Sequence, residues 1–150
     1  MATILVVDEN AVERRVMRMT LEMDGHRVAE APDGVEALRI IEKYDLDLAI
    51  VAMDMTQLDG YRMITQARTS PGREAVQFLA VLDGADEKGP VESFMAGATD
   101  LLFRPVGAPE LREAVERATS TEQIDLRQRL VGVQLEAYET AIRLQEQARH

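Results

Sequence analysis

Residues 45–60 read DLDLAIVAMDMTQLDG. Five apolar residues, Leu48 to Ala52, form a run of strand length that ends in a short acidic loop closed by Gly60. An uninterrupted apolar strand has no face to give to water, so it suits the middle of a parallel sheet covered on both sides by helices. Working outward, similar runs lie at Thr3 to Val7, Arg27 to Ala31, Val76 to Leu82 and Asp100 to Phe103, each followed by a segment of helical periodicity. Five strand–helix pairs with right-handed crossovers predict an α/β fold: a flavodoxin-like, doubly wound (βα)5 parallel sheet of strand order 2-1-3-4-5. Such a sheet binds ligands at the carboxyl ends of its strands, beside the switch point between strands 1 and 3. In this chain that corner holds Asp8, Glu9 and the residues after Val51.

Helix boundaries are also legible. Asn10 can cap the first helix, with Glu13 reaching back as the second half of a capping box, and Gly25 can end it in a left-handed conformation. Val12, Val16, Met19 and Met23 share one face and are expected to be buried; Val35, Leu38 and Ile41 are the corresponding stripe of the second helix. Ser70, Pro71 and Gly72 close the third helix and Gly97 the fourth, and Pro109 sits in the first turn of the fifth.

Composition narrows the function classes. The chain has 150 residues, 46% hydrophobic, no cysteine and a net charge of −10. One domain with an extension is expected: residues 1–119, then 120–150. Without cysteine there are no disulfides, thiol nucleophiles or cysteine metal sites. The negative charge argues against nucleic acid as a partner, because Lys and Arg supply most non-specific affinity for phosphate. The N-terminus meets a charge at Asp8, which suits neither a signal peptide nor a membrane span, and a cytoplasmic protein is expected.

Three blocks then carry a family resemblance. ILVVDEN (4–10), DLDLAIVAMDMTQLDG (45–60) and AGATDLLFRP (96–105), at their spacing, resemble the receiver domain of bacterial two-component response regulators over residues 1–119. In that family two acids after strand 1 and an aspartate ending strand 3 hold Mg²⁺, and that aspartate accepts a phosphoryl group, with the metal neutralising charge on the phosphoryl oxygens. Anchored on Leu58, Asp59 and Gly60, the resemblance puts Ala52 at the acceptor position, and a methyl group is neither nucleophile nor ligand. It also puts Leu82 at the Ser/Thr position, Leu101 at the aromatic switch, Arg104 at the lysine and Thr56 at the motif's proline. Only Asp8 and Glu9 match metal positions, which implies at most a weak, vestigial Mg²⁺ site and otherwise no cofactor; the same two acids could simply cap the first helix. Arg104, planar and permanently charged, is expected to turn inward to the acids.

The resemblance therefore implies a degenerate, non-enzymatic receiver that signals through contacts with a histidine kinase or another regulator. The alternatives are an active regulator phosphorylated at Asp54 and a small-ligand sensor using the vacated pocket. In the tail, Ile124, Val131, Leu135, Tyr138 and Ile142 fall on a heptad stripe, predicting a long C-terminal helix that pairs as a coiled coil or binds a partner, with a homodimer the expected state. An isolated helix of this length is marginal in water, so something must cover its apolar face.

Overall fold

A computed structural model describes residues 1–72, 75–120, 139–140, 142–145 and 147. Among described residues 1–120, five strands and five helices alternate: β1 (Thr3–Val7), α1 (Ala11–Met23), β2 (Arg27–Ala31), α2 (Gly34–Lys43), β3 (Leu48–Ala52), α3 (Gly60–Thr69), β4 (Gln77–Asp83), α4 (Gly89–Ala96), β5 (Asp100–Arg104) and α5 (Ala108–Thr119). The strands form one sheet of order β2-β1-β3-β4-β5. All four neighbouring pairs are parallel.

Alternation along the strands splits the core in two. Ile4, Val6, Leu48, Ile50, Leu79 and Val81 face α1 and α5, which cover them with Met17, Leu21, Leu111 and Val115. Leu5, Val7, Ala49, Val51, Phe78 and Ala80 point the other way, against Ile41, Met63 and Ile64 of α2 and α3. Both faces of β3 are thereby buried, as its apolar run requires.

Two expected stripes are corrected. Val12, Val16, Met19 and Met23 are 56–79% exposed, and Met17 and Leu21 are the residues α1 buries. The helix is apolar on two sides, and polar anchors choose between them: Arg14 and Arg18 both bond Glu30 of β2, at 3.0 and 2.9 Å, which turns the Met17–Leu21 side inward. Likewise α2 buries Ala37 and Ile41, leaving Val35 exposed and Leu38 half-buried. Strand β4 begins one residue later than expected and runs on to Asp83, and β5 runs on to Arg104, each extended by the other's pairing: Asp83 stands opposite Arg104.

The expected caps hold. Asn10 accepts from the N–H groups of Val12 and Glu13, and Asp33 and Asp59 cap α2 and α3 in the same manner. The reciprocal arm of the expected capping box differs, because the Asn10 N–H donates to Asp8 Oδ1 (3.0 Å) while Glu13 turns elsewhere. Of the tail, residues 139–140, 142–145 and 147 are helical and exposed, Ile142 among them; Ile124, Val131, Leu135 and Tyr138 lie outside the described residues. Among the described residues no helix is long and apolar enough to cross a membrane.

Candidate functional site

The parallel register brings the acids together. Val7 pairs with Val51, so Asp8 and Ala52, the next residues on adjacent strands, arrive side by side at the carboxyl edge of the sheet. Ala52 is buried and ends β3. The loop beyond it is pinned by a close approach at Gly60, where an added Cβ would stand 2.8 Å from the Met53 Cα and 3.0 Å from the Ala52 carbonyl oxygen. No side chain fits there, which fixes the path of residues 53–59 and the position of Asp54.

Arg104 occupies the centre. Its Nε donates to Glu13 Oε2 (3.1 Å), Nη1 to Asp83 Oδ1 (3.4 Å) and Nη2 to Asp54 Oδ1 (3.2 Å), while Asp8 Oδ2 stands 3.7 Å from Nη2. One guanidinium thus meets carboxylates from the β1–α1 loop, α1, the β3–α3 loop and the end of β4, a division of labour that its planar fork of donors permits. The Arg104 side chain is only 16% exposed. Burial disfavours its cation, but the charge and hydrogen bond of Asp54, with help from Glu13 and Asp8, outweigh that cost and raise its hold on the proton.

Asp8 is the buried member of the set, with a side chain 4% exposed. Burial pushes its carboxyl above the usual range, opposed by the N–H of Asn10 and by Arg104. Its Oδ1 accepts from Asn10, and its Oδ2 accepts no hydrogen bond. Glu9 is differently engaged: its Oε1 accepts from the N–H and the hydroxyl of Thr56, the latter at 2.8 Å. That pairing ties Glu9, just after β1 and Asp8, to the β3–α3 loop.

Of the residues singled out by sequence, Asp8, Asp54 and Arg104 meet in one cavity of about 270 Å³, whose rim also carries Glu9. Leu82 is buried at the end of β4, and Leu101 is half-buried against the core facing α2 and α3. Glu13 and Asp83 were missed. Their signals were faint but present: Glu13 lies in the first turn after the Asp8 corner, and Asp83 follows the last apolar residue of β4. Tyr61, in the first turn of α3, supplies an aromatic ring against the same core as Leu101.

A doubly wound sheet with acids at its switch point defines a class of small domains that hold charged groups at the carboxyl edge. Residues 4–116 match the model of the response regulator receiver domain, and the chain belongs to that family. It is similar to the response regulator MprA of Mycobacterium sp. (strain KMS), 33% identical over 80% of this chain and 53% of that one. It is also similar to an uncharacterized 14.6 kDa protein of Leptolyngbya boryana, 32% identical over 76% of this chain and 87% of that one. The chain thus spans about half the length of MprA. Among solved structures, the chemotaxis protein CheY4 of Vibrio cholerae superposes with a TM-score of 0.75 at 26% identity, covering 79% of this chain and 98% of that one. The receiver domain of a sensor histidine kinase from Pseudomonas aeruginosa PAO1, solved with magnesium in its active site cleft, gives 0.73 at 28% identity, covering 79% and 98%.

The residues present here do not fit such an ion. Among the described residues, no group of three or more His, Cys, Asp or Glu side chains is arranged to hold a metal. Glu9 is bonded to Thr56, and a guanidinium stands among the remaining acids.

Proposed function

We propose that this chain is a receiver without a phospho-acceptor, a non-enzymatic module that signals through protein contacts rather than through a covalent mark. The observation that carries the reading is the methyl group of Ala52 beside Asp8, where the family resemblance calls for a carboxylate. Leu82 and Leu101 support it, since neither can take part in a hydroxyl–aromatic relay. A phosphoryl group also needs its charge neutralised in transfer, and the cation in this pocket is already engaged by Asp54, Glu13 and Asp83.

The partner in this reading is a histidine kinase or another regulator of the cytoplasm. Val91, Phe94 and Met95 of α4 and Phe103 of β5 are 47–82% exposed and supply an apolar surface for it. In this reading residues 120–150 are a separate segment that joins two copies through its heptad stripe; Ile142, the described member of that stripe, is exposed.

Two measurements test this. Incubation with acetyl phosphate and Mg²⁺ is expected to give no phosphoryl mass gain; a stable gain abolished by Asp54→Ala would establish an active regulator instead. Light scattering is expected to show a dimer for the full chain and a monomer for a chain ending at Ser120, and two monomers would refute pairing through the tail.

A further inference from the structure

The carboxyl edge holds four carboxylates around one positive charge. Asp8, Glu13, Asp54 and Asp83 all place an oxygen within 3.7 Å of an Arg104 nitrogen. Acids gathered in this way would repel one another without a cation among them. A solved receiver domain of the same fold has a magnesium ion coordinated in its active site cleft. We propose that in this chain the Arg104 guanidinium is a tethered stand-in for the divalent cation, so the pocket keeps a fixed positive charge among its acids and is blind to metal. The inference deepens the functional reading above and rests on it for the identity of the pocket.

The geometry favours replacement over coexistence. A hard dication sits about 2.0–2.6 Å from its oxygen ligands, and Asp8, which lines the cavity, offers Oδ2, a buried oxygen that accepts no hydrogen bond. Arg104 Nη2 lies 3.7 Å from that same oxygen, so an ion bound there would share the spot with a fixed positive charge. The guanidinium in turn reaches Asp8 by charge alone, spending its hydrogen bonds on Glu13, Asp83 and Asp54. Removing it would leave Asp8, Glu9, Glu13, Asp54 and Asp83 lining a cavity that already measures about 270 Å³ with Arg104 in place, and no cation among them. A divalent cation is the ligand chemistry such a site takes.

The test uses the full chain, with Mg²⁺ and Mn²⁺ as probes at constant ionic strength. Amide shifts at Asp8 and Asn10 and the thermal midpoint are followed in the wild type, in Arg104→Ser and in Arg104→Gln, the second of which keeps side-chain length and drops the charge. The wild type is expected to show no saturable response in the low-millimolar range. At least one variant is expected to bind saturably, roughly tenfold or more tighter than the wild type, equivalent to about 1.4 kcal/mol. Saturable shifts at Asp8 in the wild type would overturn the proposal, as would the failure of both variants to acquire a metal response. The two readings fail separately. A wild type that binds Mg²⁺ but takes no phosphoryl group from acetyl phosphate refutes the tethered cation alone; phosphorylation without a metal response in the variants also refutes the non-phosphorylated receiver.

Discussion

Two arginines stand at opposite ends of this sheet and use the same guanidinium differently. Arg68, at the end of α3, donates to the backbone carbonyls of Val76 and Gly97 and lies 4.7 Å over the Phe78 ring. Arg104, at the carboxyl edge, donates to carboxylates on separate elements. The first ties two backbone carbonyls to the end of a helix; the second places a positive charge among carboxylates that the fold has drawn together. An arginine can therefore be a structural clamp or an electrostatic centre, and the chemistry of its acceptors decides which.

That contrast can be broken by substitution. Arg68→Ala should cost the most, about 2–4 kcal/mol by chemical denaturation, because it leaves part-buried carbonyls without a donor and removes a cation–π contact. The loss should not depend on Mg²⁺, and a metal-dependent loss would erase the distinction between the two sites.

Arg104→Gln should cost less at pH 7, about 1–2 kcal/mol, because Glu13, Asp54 and Asp83 are substantially exposed and water screens them. Its deficit should also depend on pH. Burial raises the Asp8 carboxyl above its ordinary 3.8, so the folded state holds that proton more tightly than the unfolded chain does, and stability rises as pH falls through the folded value. Without Arg104 this trend steepens, and the gap from wild type should narrow in acid, as read by denaturant midpoints across pH. A gap that widened in acid would contradict the assignment of Arg104 as the counter-charge of Asp8.

A smaller effect is expected at Glu30, where the hydrogen bond from Arg18, joined by Arg14, holds the carboxyl below its ordinary 4.5 against the cost of burial. This stability is present above 4.5 and is lost as pH falls through the lowered folded value, the opposite sense to Asp8. Glu30→Gln should cost about 1 kcal/mol at neutral pH, with the difference vanishing in acid. Smallest of all, Val16→Ser on the outer face of α1 should change stability by less than about 0.5 kcal/mol; a loss of several kcal/mol would mean that this face is covered in solution.

Much of the fold was legible before any coordinates. The apolar runs gave four strand starts and, with right-handed crossovers, the sheet order, and Asn10, Gly25 and Gly97 marked helix ends through backbone chemistry that operates within a few residues. The rotation of α1 was not legible, because Val12–Val16–Met19–Met23 and Met17–Leu21 are both apolar at helical spacing, and the choice lay with Glu30 on another strand. The site divided similarly. Asp8, Ala52 and Arg104 could be placed by their blocks, whereas Glu13 looked like half of a capping box until Arg104 drew its carboxylate away.

The sequence by itself determined the five strand–helix units, the caps and the residue type at each corner of the pocket, because strand periodicity, capping and side-chain chemistry are properties of short stretches of chain. Only the tertiary structure decided which face of α1 is buried, that Glu9 belongs to Thr56, and that four acids from distant positions share one guanidinium. Charge pairing acts through space over a few ångströms, and the parallel sheet brings together residues as far apart as Glu13 and Arg104.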